Sequence, residues 1–233
     1  MRQTFFAASL VLASMVPAAP LLAQSHTQMP AHYRGEANGT QTLTHEVVVG
    51  ASSADVWEVI STPTGWQEWA VPVAWHPRGR PEIIETSYDP AATPGSAGTI
   101  QQHVVATIPG RILVFRTVKA PAAFPHWPAY RRVINFFELE PLGPRSTRVR
   151  LTGVGFPGDT SGQAALEFFK RGNGASLAWL RDRFVSGPAD WGKRLGLPVG
   201  KLKHSGTVRE AVCGPGTVAA GPGQVCRPVV SDK

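Results

Sequence analysis

The fold is decided by the stretch 48–60, which reads VVGASSADVWEVI. The β-branched run that ends before Gly50 predicts a strand. Ser52 or Ser53 then offers an N-cap, and residues 54–60 place apolar side chains at helical spacing, which predicts a short amphipathic helix. A strand therefore runs directly into a helix, and everything downstream has to cover both.

A second short helix and a series of strands follow this opening. Thr62 offers a cap and Pro63 stands at the first helical position, which predicts a helix that carries Trp66 and Trp69. Helices this short are not stable alone, so both must pack on an apolar surface. Pro/Gly turns separate the strand-like segments 82–88, 99–107, 112–118, 130–139 and 147–155. Alternation in the last two predicts one buried face that includes Val133, Asn135, Phe137, Leu139, Val149 and Leu151.

One long amphipathic helix is predicted near the C-terminus. Its apolar stripe is formed by Leu166, Phe169, Leu177, Leu180 and Phe184. We expect the glycines in 172–174 to kink or split this helix, since each costs about 1 kcal/mol in a helix interior. Beyond Gly187 the composition turns to Gly, Pro and scattered charge, which predicts a tail over 188–233 with little regular structure.

The N-terminus has the pattern of an export signal. Residues 1–23 combine one basic residue, an apolar run and small residues up to Ala23. We expect cleavage after Ala23, with Ala18 as the alternative, and a flexible leader over 24–42 before the domain at 43–187. Export predicts a periplasmic or secreted protein.

The two cysteines of the chain, Cys213 and Cys226, lie close together in the tail. An exported protein meets an oxidising compartment, so we expect a disulfide between them. No pair of histidines stands nearby at ligand spacing, and no metal or other cofactor is predicted.

The net charge of +7 is spread along the chain without a long basic run. Lysines and arginines do not alternate with aromatic residues as they do along a nucleic-acid groove, so nucleic acid is not an expected partner. Ordinary solvated charge and attraction to anionic lipid headgroups both fit this pattern.

The order of these elements resembles the helix-grip fold of the START and SRPBCC superfamily. The stretch 48–60 is similar to its opening, in which a strand leads through a small-residue turn to Val-Trp on the first helix. The segment 66–69 resembles its second helix, and 138–151 resembles its penultimate hairpin. The resemblance covers about residues 43–186. It implies an α+β fold in which a curved antiparallel sheet of about six strands wraps around one long C-terminal helix, with two short helices after the first strand.

Two groups within the superfamily are similar to the chain. They are the polyketide cyclase/dehydrase and lipid-transport family and the homologues of the heat-shock ATPase activator. The chain departs from them in its export signal, in long loops around 90–98 and 119–128, and in its cysteine-bearing tail. Export counts against a co-chaperone role, because a cytosolic ATPase would not be met outside the cytoplasm.

A sheet curled around one helix leaves an internal space wherever side chains do not fill it. The inward residues that we predict to bind a ligand are Trp66, Trp69, Phe115, Asn135, Phe137 and Phe169. The aromatic residues among them would serve equally well as plain core. Asn135 must find a partner or cost roughly 1 to 3 kcal/mol, and a ligand, a water or a backbone group would each satisfy it.

The segment 124–132 is predicted to form a loop at the rim of the sheet. It includes Phe124, Trp127, Tyr130 and Arg131. Apolar tips beside positive charge suit a gate for an amphipathic acid or a membrane-docking loop. A loop folded back on the body through its aromatic residues is the alternative.

The sequence carries no familiar enzyme motif, neither a nucleophile elbow nor a phosphate-binding glycine loop. His103 and His126 are weak catalytic candidates. The leading hypothesis is an exported carrier that buries a hydrophobic or amphipathic small molecule, such as a lipid or an aromatic metabolite. A cyclase-like or hydratase-like enzyme that uses His103, Asn135 or His126 is the alternative, and a module that docks on the membrane or on an envelope protein is the third.

Overall fold

The computed structural model describes residues 29–196, 217–220 and 225–228. The main body is one eight-stranded antiparallel sheet with helices on one face, in the order β1-β2-β8-β7-β6-β5-β4-β3. The strands are β1 (Ala31–Gly35), β2 (Gln41–Val49), β3 (Val73–Trp75), β4 (Ile83–Ser87), β5 (Ile100–Ile108), β6 (Ile112–Lys119), β7 (Ile134–Gly143) and β8 (Ser146–Phe156). The predicted α+β helix-grip architecture, with a curved sheet around a long C-terminal helix, is confirmed.

The helices are α1 (Ser53–Ser61), α2 (Pro63–Gln67), α3 (Trp127–Tyr130), α4 (Thr160–Ser186) and α5 (Trp191–Arg194). The predicted caps form: Ser52 Oγ accepts a hydrogen bond from the Asp55 amide at 3.1 Å, and Thr62 Oγ1 accepts one from the Gly65 amide at 3.0 Å. These bonds satisfy amides that a helix start leaves unpaired. Among the described residues, no helix is both long enough and apolar enough to cross a bilayer.

The helices and the sheet enclose the core on the inner face of the sheet. Side chains of α1, α2 and α4 pack there with those of β2, β6, β7 and β8. The predicted inward set of Val133, Asn135, Phe137, Leu139, Val149 and Leu151 is buried. On the outer face, Arg148 and Arg150 each pair with both Glu46 and Glu140, at 2.8 to 3.1 Å.

The prediction of a flexible leader over 24–42 is wrong where the structure describes it. β1 pairs antiparallel with β2, for example Tyr33 with Leu43, and β2 itself begins at Gln41. Four of the five residues of β1 are exposed, so the strand is held by backbone hydrogen bonds and leaves no hydrophobic period in the sequence. The predicted export signal at 1–23 lies outside the described residues.

The glycines in 172–174 were predicted to kink or split the long helix. Helix α4 instead runs as one helix of 27 residues. Gly174 is buried with its Cα facing the His45 ring and Met29, where an added Cβ would make ordinary contact at 3.7 Å. Packing on β2 thus compensates for the weak helix propensity of glycine at this point.

Two further segments differ from the sequence-based expectation. The predicted strand 130–139 begins only at Ile134, because Trp127–Tyr130 forms α3 with Pro128 in its first turn.

The described parts of the tail contain more regular structure than expected. Asp190 caps α5, Trp191 Nε1 donates to the Gln67 carbonyl at 2.6 Å, and β9 (Thr217–Ala220) pairs with β10 (Val225–Pro228). The first part of the tail therefore packs on α2.

Candidate functional site

Four of the predicted ligand residues form one packed group, which we call the inner cluster: Trp66, Trp69, Phe115 and Phe137. Trp66 lies 5.8 Å from Trp69 and 6.2 Å from Phe115, measured between ring centroids. Phe137 lies 5.8 Å from Phe115 and 6.3 Å from Trp69. Trp66 lies on α2, but the helix ends at Gln67, so the predicted helix is too short to carry Trp69. Both tryptophans pack on rings from β6 and β7, and the inner cluster thus joins the helical layer to the sheet.

The polar groups of both tryptophans are satisfied within the protein. Trp66 Nε1 donates to the Ile60 carbonyl at 2.6 Å, and Trp69 Nε1 donates to the Val59 carbonyl at 3.1 Å. These bonds fix α2 against the C-terminal end of α1. The indoles therefore offer a ligand only apolar surface, and their contact with one stays a prediction.

Phe169 belongs to a second group, the rim cluster, which consists of Phe124, Tyr130, Phe156, Phe168 and Phe169. Tyr130 stacks on Phe169 with ring centroids 3.7 Å apart, and Phe124 lies 5.4 Å from Phe168. His126 contacts Phe124 and Phe168 at 5.7 and 5.1 Å. The predicted rim loop is thus folded back onto α4 through its aromatic residues.

Asn135 lies between the two clusters. On the sheet it pairs with Phe115 of the inner cluster on one side and with Gly153 on the other. A Cβ at Gly153 would lie 3.1 Å from Asn135 Oδ1 and 2.9 Å from a ring carbon of Phe156. The side chain of Asn135 is 2% exposed, and its Nδ2 has no hydrogen-bond partner among the described residues. Its donor hydrogens are therefore both buried and unused.

Other polar side chains surround this amide. Thr117 Oγ1 donates to Gln102 Oε1 at 2.7 Å. Burial raises the pKa of Tyr130 to about 12. The Tyr130 hydroxyl therefore stays protonated at neutral pH.

The two clusters meet at a small group of polar side chains. Thr117 and Asn135 are buried on neighbouring strands, β6 and β7. Tyr130 lies 6.3 Å from the ring of Phe156, which packs beside Asn135 at Gly153. We call this region the recess and define it by Gln102, Thr117, Tyr130 and Asn135.

The two catalytic candidates lie away from the recess. His103 pairs with Arg116, which alternates with the buried Phe115 and Thr117 and is exposed, so His103 is on the outer face and not in the interior. His126 lies among the rings of the rim cluster. The strand register therefore turns His103 away from the interior, where a catalytic role in a ligand pocket would place it.

The remaining residues of the predicted rim loop differ in exposure. Trp127 is half-buried and Arg131 is exposed. Cys213 lies outside the described residues, and only the backbone is described at Cys226, so their disulfide stays a prediction. The described part of the chain has no group of three side chains that would hold a metal ion.

Two buried polar residues were missed in the sequence. His45 is fully buried beneath α4, and its Nε2 lies 2.9 Å from the Lys170 carbonyl. Its Nδ1 has no partner within the residues that the structure describes, and desolvation lowers its pKa. Its alternation with Leu43 and Val47 would have placed it on the inner face. Thr117 alternates with Phe115 in the same way. Applying the inward pattern to every strand would have found both.

Glu85 was also missed, and it holds the long loop around 90–98 against β3 and the end of β6. It accepts hydrogen bonds from Trp75 Nε1, the Gly95 amide and Thr99 Oγ1, and Lys119 lies 3.8 Å away. Burial by itself raises the pKa of this carboxyl, but the hydrogen bonds outweigh burial and hold the pKa below its usual range. Glu85 is therefore a structural anchor.

A hollow of about 410 Å³ lies on the outer face, lined by Ile108, Arg111, Ile112, Glu138, Leu139, Glu140 and Arg150. Arg150 donates to Glu46 and Glu140, so its charge is already paired. In the recess, a buried polar atom of Asn135 has no hydrogen-bond partner among the described residues. None of the residues that line the hollow has such an atom.

The family model described as polyketide cyclase/dehydrase and lipid transport matches residues 40–185. No curated protein is significantly similar to the chain. Among solved structures, Aha1 from Colwellia psychrerythraea is 17% identical to this chain with a TM-score of 0.48. The match covers 64% of this chain and 98% of the Aha1 chain. CalU16 from Micromonospora echinospora is 16% identical with a TM-score of 0.47, and covers 72% of this chain and 90% of its own.

Proposed function

Because the chain belongs to the polyketide cyclase/dehydrase and lipid-transport family, we propose that it is an exported carrier that holds a hydrophobic or amphipathic small molecule in the recess. The observation that carries the proposal is the Nδ2 of Asn135, which is buried where the two aromatic clusters meet and has no hydrogen-bond partner in the described part of the chain. An unpaired buried amide costs roughly 1 to 3 kcal/mol, and a ligand that accepts its hydrogen bond would offset that cost.

The walls of the recess suit an apolar guest. The inner cluster and the rim cluster offer aromatic surface on two sides, and the polar groups between them are few and uncharged. Sites for small molecules typically combine an apolar lining with a small number of placed polar groups that fix orientation. Burial of apolar ligand surface would supply the affinity, at about 25 cal/mol per Å².

Export is the second part of the proposal and rests on the sequence of residues 1–23. An extracytoplasmic carrier would move a poorly soluble compound through an aqueous compartment, and a disulfide between Cys213 and Cys226 would fit that oxidising environment. The denatured mass of protein recovered from the cell envelope tests both points. We expect a chain that starts at Gln24 and lacks the two thiol hydrogens. A full-length reduced chain would contradict export.

The ligand itself is tested by native mass spectrometry of the same material. We expect a reproducible non-covalent adduct that disappears on denaturation. Thr117→Phe fills the recess and should abolish the adduct, whereas Thr107→Phe, at an exposed position of β5, should keep it. Unfolding midpoints show that both variants fold. A bare protein mass under all growth conditions, or equal adducts in both variants, would contradict a carrier that uses the recess.

Peripheral membrane contact is a second candidate, favoured by one observation. Phe168 of the rim cluster is 41% exposed, and Arg131 and Arg171 are exposed on the adjoining α3 and α4. An apolar ring beside cations suits an anionic bilayer surface. Phe168→Ser should weaken co-sedimentation with vesicles that contain anionic lipid, while Val185→Ser, which changes an exposed apolar residue elsewhere on α4, should not.

A further inference from the structure

Residues 187–196, which we call the strap, bind the end of α2 through its backbone. The strap follows α4 and lies beyond residue 185, where the match to the family model ends. Three consecutive carbonyls at the end of α2 and just after it each accept one hydrogen bond from the strap: Gln67 from Trp191 Nε1 at 2.6 Å, Glu68 from the Ala189 amide at 2.8 Å and Trp69 from Arg194 Nη1 at 3.1 Å. Carbonyls at a helix end have no partner within the helix, so the strap supplies the partners that α2 lacks.

The strap itself is held by one buried side chain. Trp191 is buried, and its ring lies edge-on to Trp179 of α4 with the centroids 6.5 Å apart. The guanidinium of Arg194 lies over both rings, at 4.6 and 5.0 Å from their centroids. The other residues of the strap are exposed or half-buried. Segments with few buried side chains open at a lower free energy than the fold as a whole, so the strap can leave α2 while the sheet stays folded.

Helix α2 depends on such outside support. It has only five residues and is not stable alone. The indoles of Trp66 and Trp69 bind it to α1, and β3, which follows it, is an edge strand of three residues. A partly exposed ion pair between Arg183 and Glu68 adds a contact with α4, and pairs of this kind contribute little. Loss of the strap would therefore expose three carbonyls to water and remove the main support of α2 from its C-terminal side.

We propose that the strap is a releasable closure, which keeps α2 shut over the inner cluster and on release opens α2 to solvent while the sheet stays folded. The chain beyond residue 196 continues from the strap, so a partner that draws this part of the tail away also opens α2. Opening exposes Trp66 and Trp69 first, because they lie on α2 and in the turn that follows it. The strap acts on α2 whatever the interior binds, so its test does not depend on the proposed carrier function.

Hydrogen exchange of the full-length protein under native conditions, followed by mass spectrometry, tests this closure. Trp191→Phe keeps an aromatic ring beside Trp179 and removes the hydrogen bond to the Gln67 carbonyl. We expect peptides that cover 63–71 and 189–196 to exchange about tenfold faster, which corresponds to the loss of one hydrogen bond. Peptides from 147–156 in β8 should exchange as before. Trp127→Phe, the same change at a half-buried tryptophan of α3, should alter neither region.

A second pair of variants removes a cation. Arg194→Met loses the hydrogen bond to the Trp69 carbonyl, so 63–71 should again exchange faster while 147–156 does not. Lys193→Met changes the neighbouring exposed lysine and should leave the exchange of 63–71 unchanged. If Trp191→Phe does not fold, the comparison of these two variants decides the question.

Three results would contradict the proposal. Unchanged exchange of 63–71 in both strap variants would show that α2 stays closed without these contacts. Equal acceleration of 63–71 and 147–156 would show that the strap only stabilises the domain as a whole. Acceleration confined to 189–196 would show that the strap opens without α2.

Discussion

Replacement of Gly153 by alanine should disturb the site through a single methyl group. The added Cβ would lie 2.9 Å from a ring carbon of Phe156, 3.1 Å from Asn135 Oδ1 and 3.3 Å from Val133 Cγ1. All three neighbours are buried, so none can move into solvent. Overpacking of this kind costs about 1 to 3 kcal/mol, and the better strand propensity of alanine returns only about 0.5 to 1 kcal/mol.

We therefore expect Gly153→Ala to lower the free energy of unfolding by about 1 to 2 kcal/mol in urea titrations and to weaken the non-covalent adduct expected in native mass spectra. Gly172→Ala is the matched control, because no atom lies within 4 Å of its added Cβ. On an exposed helix position it should stabilise the protein by about 1 kcal/mol. Equal effects of the two substitutions, or an unchanged adduct in Gly153→Ala, would refute the close packing of Asn135 against β8.

Three further predictions concern the buried polar residues. Glu85→Ala should cost about 3 kcal/mol in urea unfolding, because three donors lose their acceptor at roughly 1 kcal/mol each, whereas Glu82→Ala at an exposed carboxylate should cost far less. Since desolvation lowers the pKa of His45 in the folded state, its contribution to stability is present above the unfolded pKa of about 6.5 and is lost as the pH falls through the folded pKa. His45→Gln keeps a donor for the Lys170 carbonyl and should lose less stability on acidification than the unmodified protein. Identical pH profiles of the two proteins would contradict a lowered pKa of His45. Tyr130→Phe should remove from an ultraviolet titration the phenol that ionises at about pH 12, and its persistence would show that another tyrosine has that pKa.

Sequence reasoning found the elements in which buried side chains recur at a regular spacing along the chain. The alternation around Asn135 and Phe137 and the stripe from Leu166 to Leu180 both lie against the core, so their spacing records the geometry of the contact. The caps at Ser52 and Thr62 were equally readable, because a helix start needs an acceptor at a fixed position.

The parts that it missed depend on contacts between distant residues. β1 is mostly exposed and is held by its pairing with β2, so its own residues show no pattern that predicts a strand. Tyr130 has high strand propensity but stacks on Phe169 of α4, and that contact keeps it in α3. A single sequence does not encode such a partnership in the spacing of either segment.

The site was found in part for the same reason. Asn135 stood out as an amide in an apolar row, and the structure places it beside Phe115 as alternation required. Phe169 was grouped with Trp66 and Trp69, but it lies in the rim cluster instead, because helical periodicity gives a face and not a position along the sheet. The outward facing of His103 could not be predicted, because it depends on the register of β5 with β6.

The location of a bound ligand tests the account most directly. Isotope-filtered nuclear Overhauser spectra of the labelled protein with an unlabelled aromatic ligand, such as 2-acetylnaphthalene, would report which side chains lie beside the ligand ring. We predict contacts from the ligand to Phe115 and Tyr130, one from each aromatic cluster. Contacts to Ile108 and Ile112 in the outer-face hollow, with none to the recess, would contradict the claim that this protein carries its ligand between the sheet and the long helix.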